Sequence, residues 1–165
     1  MYKLPYFSED DSEKLLDFVA GHPFATLVAV ASDGIATATH IPVFADKRGE
    51  KIVLSGHFLR TSDHCKAFQS NPAALCIFTG SFAYVSATWY TDPHNASTVN
   101  YMAAHAKGHL RFLDEQGLRA VLERTSLHFE KGDARSPTIA SNLDANELEK
   151  MMKQLAAFEI DVSEG

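Results

Sequence analysis

Three runs of β-type residues follow one another with very little chain between them, and that spacing constrains the fold more than any other feature. FATLVAVA (24–31) and IATATHIPVF (35–44) are separated by Ser32-Asp33-Gly34, and the run 51–57 follows the turn ADKRGE (45–50). So short a link closes a hairpin, whereas parallel neighbours need a crossover of roughly a dozen residues or more. The first half of the chain is thereby committed to antiparallel pairing, and a doubly wound parallel sheet has no room for its helices. AALCIFTG (73–80) and FAYVSATWY (82–90) read as two further strands. After the polar loop TDPHNAST (91–98) come a long run over 99–113, with Gly108 read as a bulge, and a last strand AFEIDVS (157–163). Short antiparallel strands with few helices predict a mainly β fold with peripheral helices, a small Greek-key or split barrel.

Elsewhere the apolar period is helical. A helix over 8–21 carries Leu15, Leu16, Phe18 and Val19 on one stripe, with Asp10, Asp11 or Ser12 to cap it and Gly21 to stop it. A second begins at Thr61 and runs to about Phe68, before Asn71-Pro72. A third, about 114–130, sets Leu118, Val121, Leu122, Thr125 and Phe129 inward. After a loop over 131–142, a charged helix at 143–156 turns Leu148, Met151, Met152 and Leu155 inward.

The 165 residues suffice for a single domain over 1–165 that folds without metal or disulfide. No apolar stretch approaches the roughly 20 residues of a membrane span, and MYKLPYFSEDD lacks the apolar core of an export signal. The expected location is cytoplasmic, with no membrane attachment. Cys65 and Cys76 lack zinc or redox spacing and read as reduced packing residues. The net charge of -6 opposes a polyphosphate backbone, and no five-residue window holds more than three Lys or Arg, so direct DNA binding is doubtful. A ligand with one phosphate needs only one local arginine. There is no G-x-S-x-G for a serine hydrolase, and His105 and His109 lack a third ligand at a diagnostic spacing. No metal site and no catalytic residue is assigned.

Candidate chemistry gathers in LSGHFLRTSDHCKAF (54–68), where Arg60 stands just before Thr61-Ser62-Asp63 at a helix start. A forked cation with hydroxyls and free N–H groups matches a phosphate dianion, and the same residues also make an ordinary N-cap beside a solvated arginine. In the second strand Ile35, Thr37, Thr39, Ile41 and Val43 share one face, and Ala36, Ala38, His40 and Pro42 the other. That small second face lets something flat approach the backbone. His40 and His57 each read equally well as core histidines satisfied by a neighbouring strand or as ligand-facing side chains.

The segments MYKLPYF, PFATL (23–27), THIP (39–42), SGHFLR (55–60), AYVSATWY (83–90) and VNYMAAHAKG (99–108) stand in the order found in FMN-binding split-barrel, pyridoxamine-phosphate-oxidase-like proteins. Over about residues 1–110 the chain most closely resembles the PaiB-type family of FMN-binding negative transcriptional regulators. The resemblance implies an antiparallel split β-barrel, forming a homodimer with FMN at the subunit interface. It further implies the isoalloxazine along the backbone of Thr39, His40, Ile41 and Pro42, and the phosphate at Arg60, Thr61 and Ser62. His57, Trp89, Tyr90, Asn100 and Tyr101 would complete the pocket. Where the family has S-P-S-W-Y and W-N-Y, this chain has Ser86-Ala87-Thr88-Trp89-Tyr90 and Val99-Asn100-Tyr101, and a Lys-x-Ser-Gln-Asn tail motif does not occur in it. The GHMARAN-like segment reads Gly56-His57-Phe58-Leu59-Arg60-Thr61-Ser62, which keeps the arginine.

The function so implied is a flavin-dependent oxidoreductase with a small-molecule substrate, or a flavin-bound regulator. A PaiB-like transcriptional regulator acting without strong direct DNA binding, and a haem-binding split barrel, are the alternatives. In such an enzyme the flavin carries the electrons and the protein orients it.

Overall fold

The computed structural model describes residues 5–92, 94–133, 135, 136, 138 and 143–164. In chain order the elements are α1 (Ser12–Gly21), β1 (Phe24–Val30), β2 (Ala36–Arg48), β3 (Lys51–Leu59), α2 (Asp63–Ser70), β4 (Ala73–Val85), β5 (Thr98–Phe112), α3 (Glu115–Glu130), α4 (Ala145–Gln154) and β6 (Leu155–Glu164). Single 3-10 turns occupy Pro5–Phe7 and Ala87–Trp89. The strands close into a barrel in the order β1-β2-β3-β6-β5-β4, and every pairing is antiparallel. The mainly β, antiparallel barrel expected from the hairpin spacing is therefore the fold.

Several boundaries differ from the sequence reading, each for a local reason. β2 runs on through ADKR, because Lys47 and Asp46 are held from outside the sheet by Glu13 at 2.7 Å and Arg124 at 2.5 Å. The turn shrinks to Gly49-Glu50, with Gly49 at φ 63. The strands expected at 73–80 and 82–90 are a single strand, β4, whose register with β5 shifts between Thr79 and Phe82. α1 begins later than expected, capped by Asp11, whose carboxylate accepts from Glu13 N at 2.9 Å; His22, not Gly21, is its C-cap. Phe129 is 51% exposed: α3 buries Leu118, Val121 and Leu122, and in its last turn it is His128 that meets the sheet, its ring 5.2 Å from that of Phe44. Half of the loop expected at 131–142 falls outside the described residues. The bulge at Gly108 is present, with the β5–β6 register shifting between Lys107 and Gly108.

The barrel interior is filled by Leu27, Val43, Leu54, Cys76, Phe78, Phe158 and Ile160, and Phe58 stacks on Phe158 at 5.1 Å. A smaller cluster of Leu118, Val121, Leu122 and Ala157, with Met151, Met152 and Leu155 partly buried against it, seats α3 and α4 on β6. Leu148 is half-buried as well. Cys65 and Cys76 are buried free thiols, and burial pushes Cys76 up to about 12. Glu159 of β6, almost wholly covered, receives two bonds from Arg48 of β2 (2.6 and 3.0 Å) and one from Arg111 of β5. Arg48's hydrogen bonds, with the charge of both arginines, hold the Glu159 carboxyl below the usual carboxylate value, against its burial. Among the described residues no helix is long and apolar enough to cross a membrane.

A candidate cofactor site where the barrel splits

β2 changes partner midway. Residues 36–42 pair with β1, from Val30↔Ala36 to Phe24↔Pro42, whereas 43–48 pair with β3, from Val43↔Gly56 to Arg48↔Lys51. Past Gly56, β3 pairs on its other edge with β6, from His57↔Ala157 to Leu59↔Leu155. The two strands part where the sequence has Pro42 and Gly56. Pro42 has no N–H with which to continue a ladder, and the next donor, Val43 N, turns instead to Pro23 O at 2.8 Å. Gly56 fits only because it lacks a side chain: a Cβ there would lie 3.0 Å from Pro42 O and 2.8 Å from Phe158 Cζ.

The parting leaves a cavity of about 260 Å³. Thr39, Ile41 and Pro42 form one wall, and His57, Phe58 and Leu59 the other. Ser62 and His64 enter from the start of α2, and Leu155 from β6. Ser62 is the N-cap of α2: its hydroxyl donates to Leu59 O at 2.5 Å, accepts from Cys65 N at 3.4 Å, and lies 3.0 Å from His64 Nε2. The ordinary capping role thus coexists with a place on the cavity wall. His57 Nδ1 is sealed from solvent with no hydrogen-bond partner, a state that costs about 1–3 kcal/mol. Burial lowers the His57 pKa from its ordinary 6.5; it lowers His64 as well, there opposed by the charge of Asp63.

The cavity brings together Thr39, Ile41, Pro42, His57 and Ser62 of the sequence-predicted site. His40 and Thr61 are exposed beside it, His40 stacking on Phe24 at 6.2 Å, so the core reading of His40 does not hold. Arg60 turns elsewhere. Its N–H bonds Gln154 O at 2.9 Å, and its side chain lines a separate groove of about 580 Å³ between α3 and α4, with Leu118, Leu148 and Met152 among the apolar walls. No hydrogen bond or ion pair to the guanidinium is formed among the described residues.

Trp89, Tyr90, Asn100 and Tyr101 lie on the β4–β5 hairpin, where β4 beyond Phe78 and β5 before Lys107 pair only with each other. Phe82 faces Tyr101 and Tyr84 faces Val99, so four large apolar side chains share one exposed face, with Trp89, 71% exposed, near the tip. The tip is pinned by Ala87 N to Ser97 Oγ at 2.9 Å and by the Ser86–Thr88 hydroxyl pair at 2.8 Å. Sequence reasoning missed Phe58, Leu59, His64 and Leu155 among the cavity residues. His64 follows a capping serine by two residues, a readable signal, but nothing in the sequence points to Leu155, which register alone brings in from β6. Among the described residues no group of His, Cys, Asp and Glu is placed to hold a metal.

A flavin mononucleotide fits these features in part. The His64 imidazole, the start of α2 and the free edge of β2 at 39–42 supply polar groups, while about 260 Å³ is below the roughly 300–1,000 Å³ of complete ligand pockets. Residues 1–164 match the family described as "Putative FMN-binding domain". The chain belongs to this family. Protein PAI 2 of Bacillus subtilis (strain 168), a protease synthase and sporulation protein, is 29% identical over 164 residues, 99% of this chain and 78% of its own length. In fold the chain is similar to the flavocytochrome Anf3 of Azotobacter vinelandii, with TM-score 0.72, 12% identity, and coverage of 99% of this chain and 69% of that one. It is also similar to a FAD and haem binding protein of Mycobacterium smegmatis, with TM-score 0.69, 18% identity, and coverage of 94% and 68%. The protein is thus an FMN-binding split barrel, in agreement with the resemblance of its motifs.

Proposed function

We propose that the chain works as a homodimer, one domain over 1–165 per subunit, in which FMN runs from the split cavity of one subunit toward the aromatic hairpin of its partner, and that the assembly is a flavin-dependent oxidoreductase acting on a small molecule. The observation that carries this reading is the parting of β2 from β3. It leaves the β2 edge at 39–42 unpaired, so backbone N–H and C=O groups are free to meet the edge of a flavin ring, beside a cavity that ends at Ser62. FMN would supply the electron chemistry; the chain's residues would bind it, orient it and exclude water.

On this reading Thr61 and the start of α2 beside Ser62 take the phosphate, Ser62 holding the turn through its bond to Leu59 O, and Arg60 joins by swinging across its turn. His40, Trp89, Tyr90, Asn100 and Tyr101 complete the walls around the ring. The dimer is supported by the exposed face of Phe82, Tyr84, Val99 and Tyr101, an apolar surface that a second copy would cover. Two free buried thiols suit a reducing, cytoplasmic setting.

A second reading, a flavin-bound regulator, is favoured by the likeness to protein PAI 2. Direct DNA binding by that regulator is disfavoured by the net charge of -6 and the mixed charges of α4. The test is the absorption spectrum of gently purified protein with and without added FMN, followed by NAD(P)H consumption and light scattering. Flavin bands, NAD(P)H turnover and a dimer mass are expected. Bound flavin without turnover would favour the regulator, and a haem spectrum or a flavin-loaded stable monomer would overturn the site described.

A further inference from the structure

We propose that His64, aligned by Ser62, reads the phosphate end of the bound flavin and takes up a proton as that end binds; the inference rests on FMN occupying the split cavity. Of the side chains that line the cavity, only His57 and His64 can carry a positive charge, since none is Lys or Arg. The sealed Nδ1 of His57 cannot meet a ligand without rearrangement. His64 is differently placed.

The Ser62 hydroxyl has one proton, and the 2.5 Å approach to Leu59 O takes it. Toward His64 Nε2, at 3.0 Å, Ser62 therefore presents a lone pair, and Nε2 must carry the ring proton. Neutral His64 is left with a lone pair on Nδ1, which has no partner among the described residues and is not among the sealed atoms. That lone pair repels a phosphate oxygen, whereas a protonated Nδ1 donates to it with full positive charge. Phosphate and proton thus bind together, each raising the affinity for the other by the same factor.

The surrounding charges are few. Asp63, next to His64 on α2, is paired with Lys66 at 3.4 Å, and Arg60 stands in the preceding turn. β3 presents the Phe58 ring at 5.0 Å in a T-shaped contact, while β2 and β6 present Thr39, Ile41, Pro42 and Leu155, none of them charged. Burial keeps His64 neutral in the free protein at neutral pH, so the proton is taken up on binding and not before.

The experiment is calorimetric titration of the protein with FMN and with riboflavin at pH 7.5, in buffers of different ionisation heat, above the phosphate's second ionisation near about 6. Uptake approaching about one proton per FMN, and about none per riboflavin, is expected. In His64→Gln the FMN uptake vanishes and FMN affinity falls at least about tenfold, while riboflavin affinity, which also reports that the variant is folded, changes less than about twofold. Equal uptake for the two flavins, or uptake that survives His64→Gln, overturns the role of His64 while leaving the flavin site standing. Failure of the wild-type protein to bind either flavin overturns the site itself and this inference with it.

Discussion

Arg60→Ala separates phosphate recognition from mere stability. Arg60 makes no side-chain bond among the described residues and lies exposed along the α3–α4 groove, so its loss should change folding free energy by no more than about 0.5 kcal/mol. A charge-assisted, partly bidentate contact to a phosphate contributes on the order of 1.5–3 kcal/mol. The side chain must leave its groove and become ordered across the turn, which costs about 0.5–1.5 kcal/mol. Taking the middle of each range, the net contribution is about 1.25 kcal/mol, a roughly eightfold loss of FMN affinity in Arg60→Ala. Riboflavin has no phosphate and should bind the variant unchanged. Fluorescence quenching titrations of both flavins against both proteins give the four constants. Equal losses for FMN and riboflavin, or none for FMN, would refute a phosphate role for Arg60, and the second result would leave the phosphate to the start of α2.

Placing charge on the hairpin face with Phe82→Asp and Tyr101→Asp should convert the proposed dimer to a monomer by light scattering and weaken FMN more than about tenfold; an intact dimer would refute the hairpin interface. Glu159→Gln should lower stability in urea by about 1–3 kcal/mol, below the full penalty for a buried pair because Arg48 and Arg111 are each 51% exposed and partly screened. The Glu159 pKa is depressed in the fold, so its stabilisation is present above the ordinary value of 4.5 and is lost as pH falls below it; Glu159→Gln should flatten that part of the curve. His57 is also depressed, from 6.5, so the unfolded chain binds the proton first and stability falls as pH drops below 6.5. His57→Phe should reduce that slope in urea melts at pH 7 and pH 5.5, and an unchanged slope would count against a buried neutral imidazole.

The barrel was legible because its evidence is local. Ser32-Asp33-Gly34 closes β1 onto β2, Gly49-Glu50 closes β2 onto β3, and neither link leaves room for a crossover. Errors arose where distant partners decide a boundary. ADKR looks like a turn by composition, yet Lys47 and Asp46 are drawn into β2 by Glu13 and Arg124, which lie far along the chain. The stretch around Gly80 looks like a break between two strands, yet the β5 ladder carries β4 across it.

The cavity was half legible for a different reason. Pro42 and Gly56 each break a strand pattern, and each can be read as a place where pairing ends. Only the register, with Val43 opposite Gly56, turns two separate irregularities into one event, the opening of the barrel between Thr39–Pro42 and His57–Leu59. The chain then turns so sharply that neighbours diverge: Leu59 and Ser62 face the cavity while Arg60 faces the α3–α4 groove. A linear motif that groups Arg60, Thr61 and Ser62 cannot express that divergence. It also passes over His64, because the orientation of that imidazole follows from where the single Ser62 proton goes, and that depends on the carbonyl of Leu59. On the proposed reading, what a motif marks as the phosphate end becomes, in three dimensions, a choice between an arginine that must move and a histidine already in place.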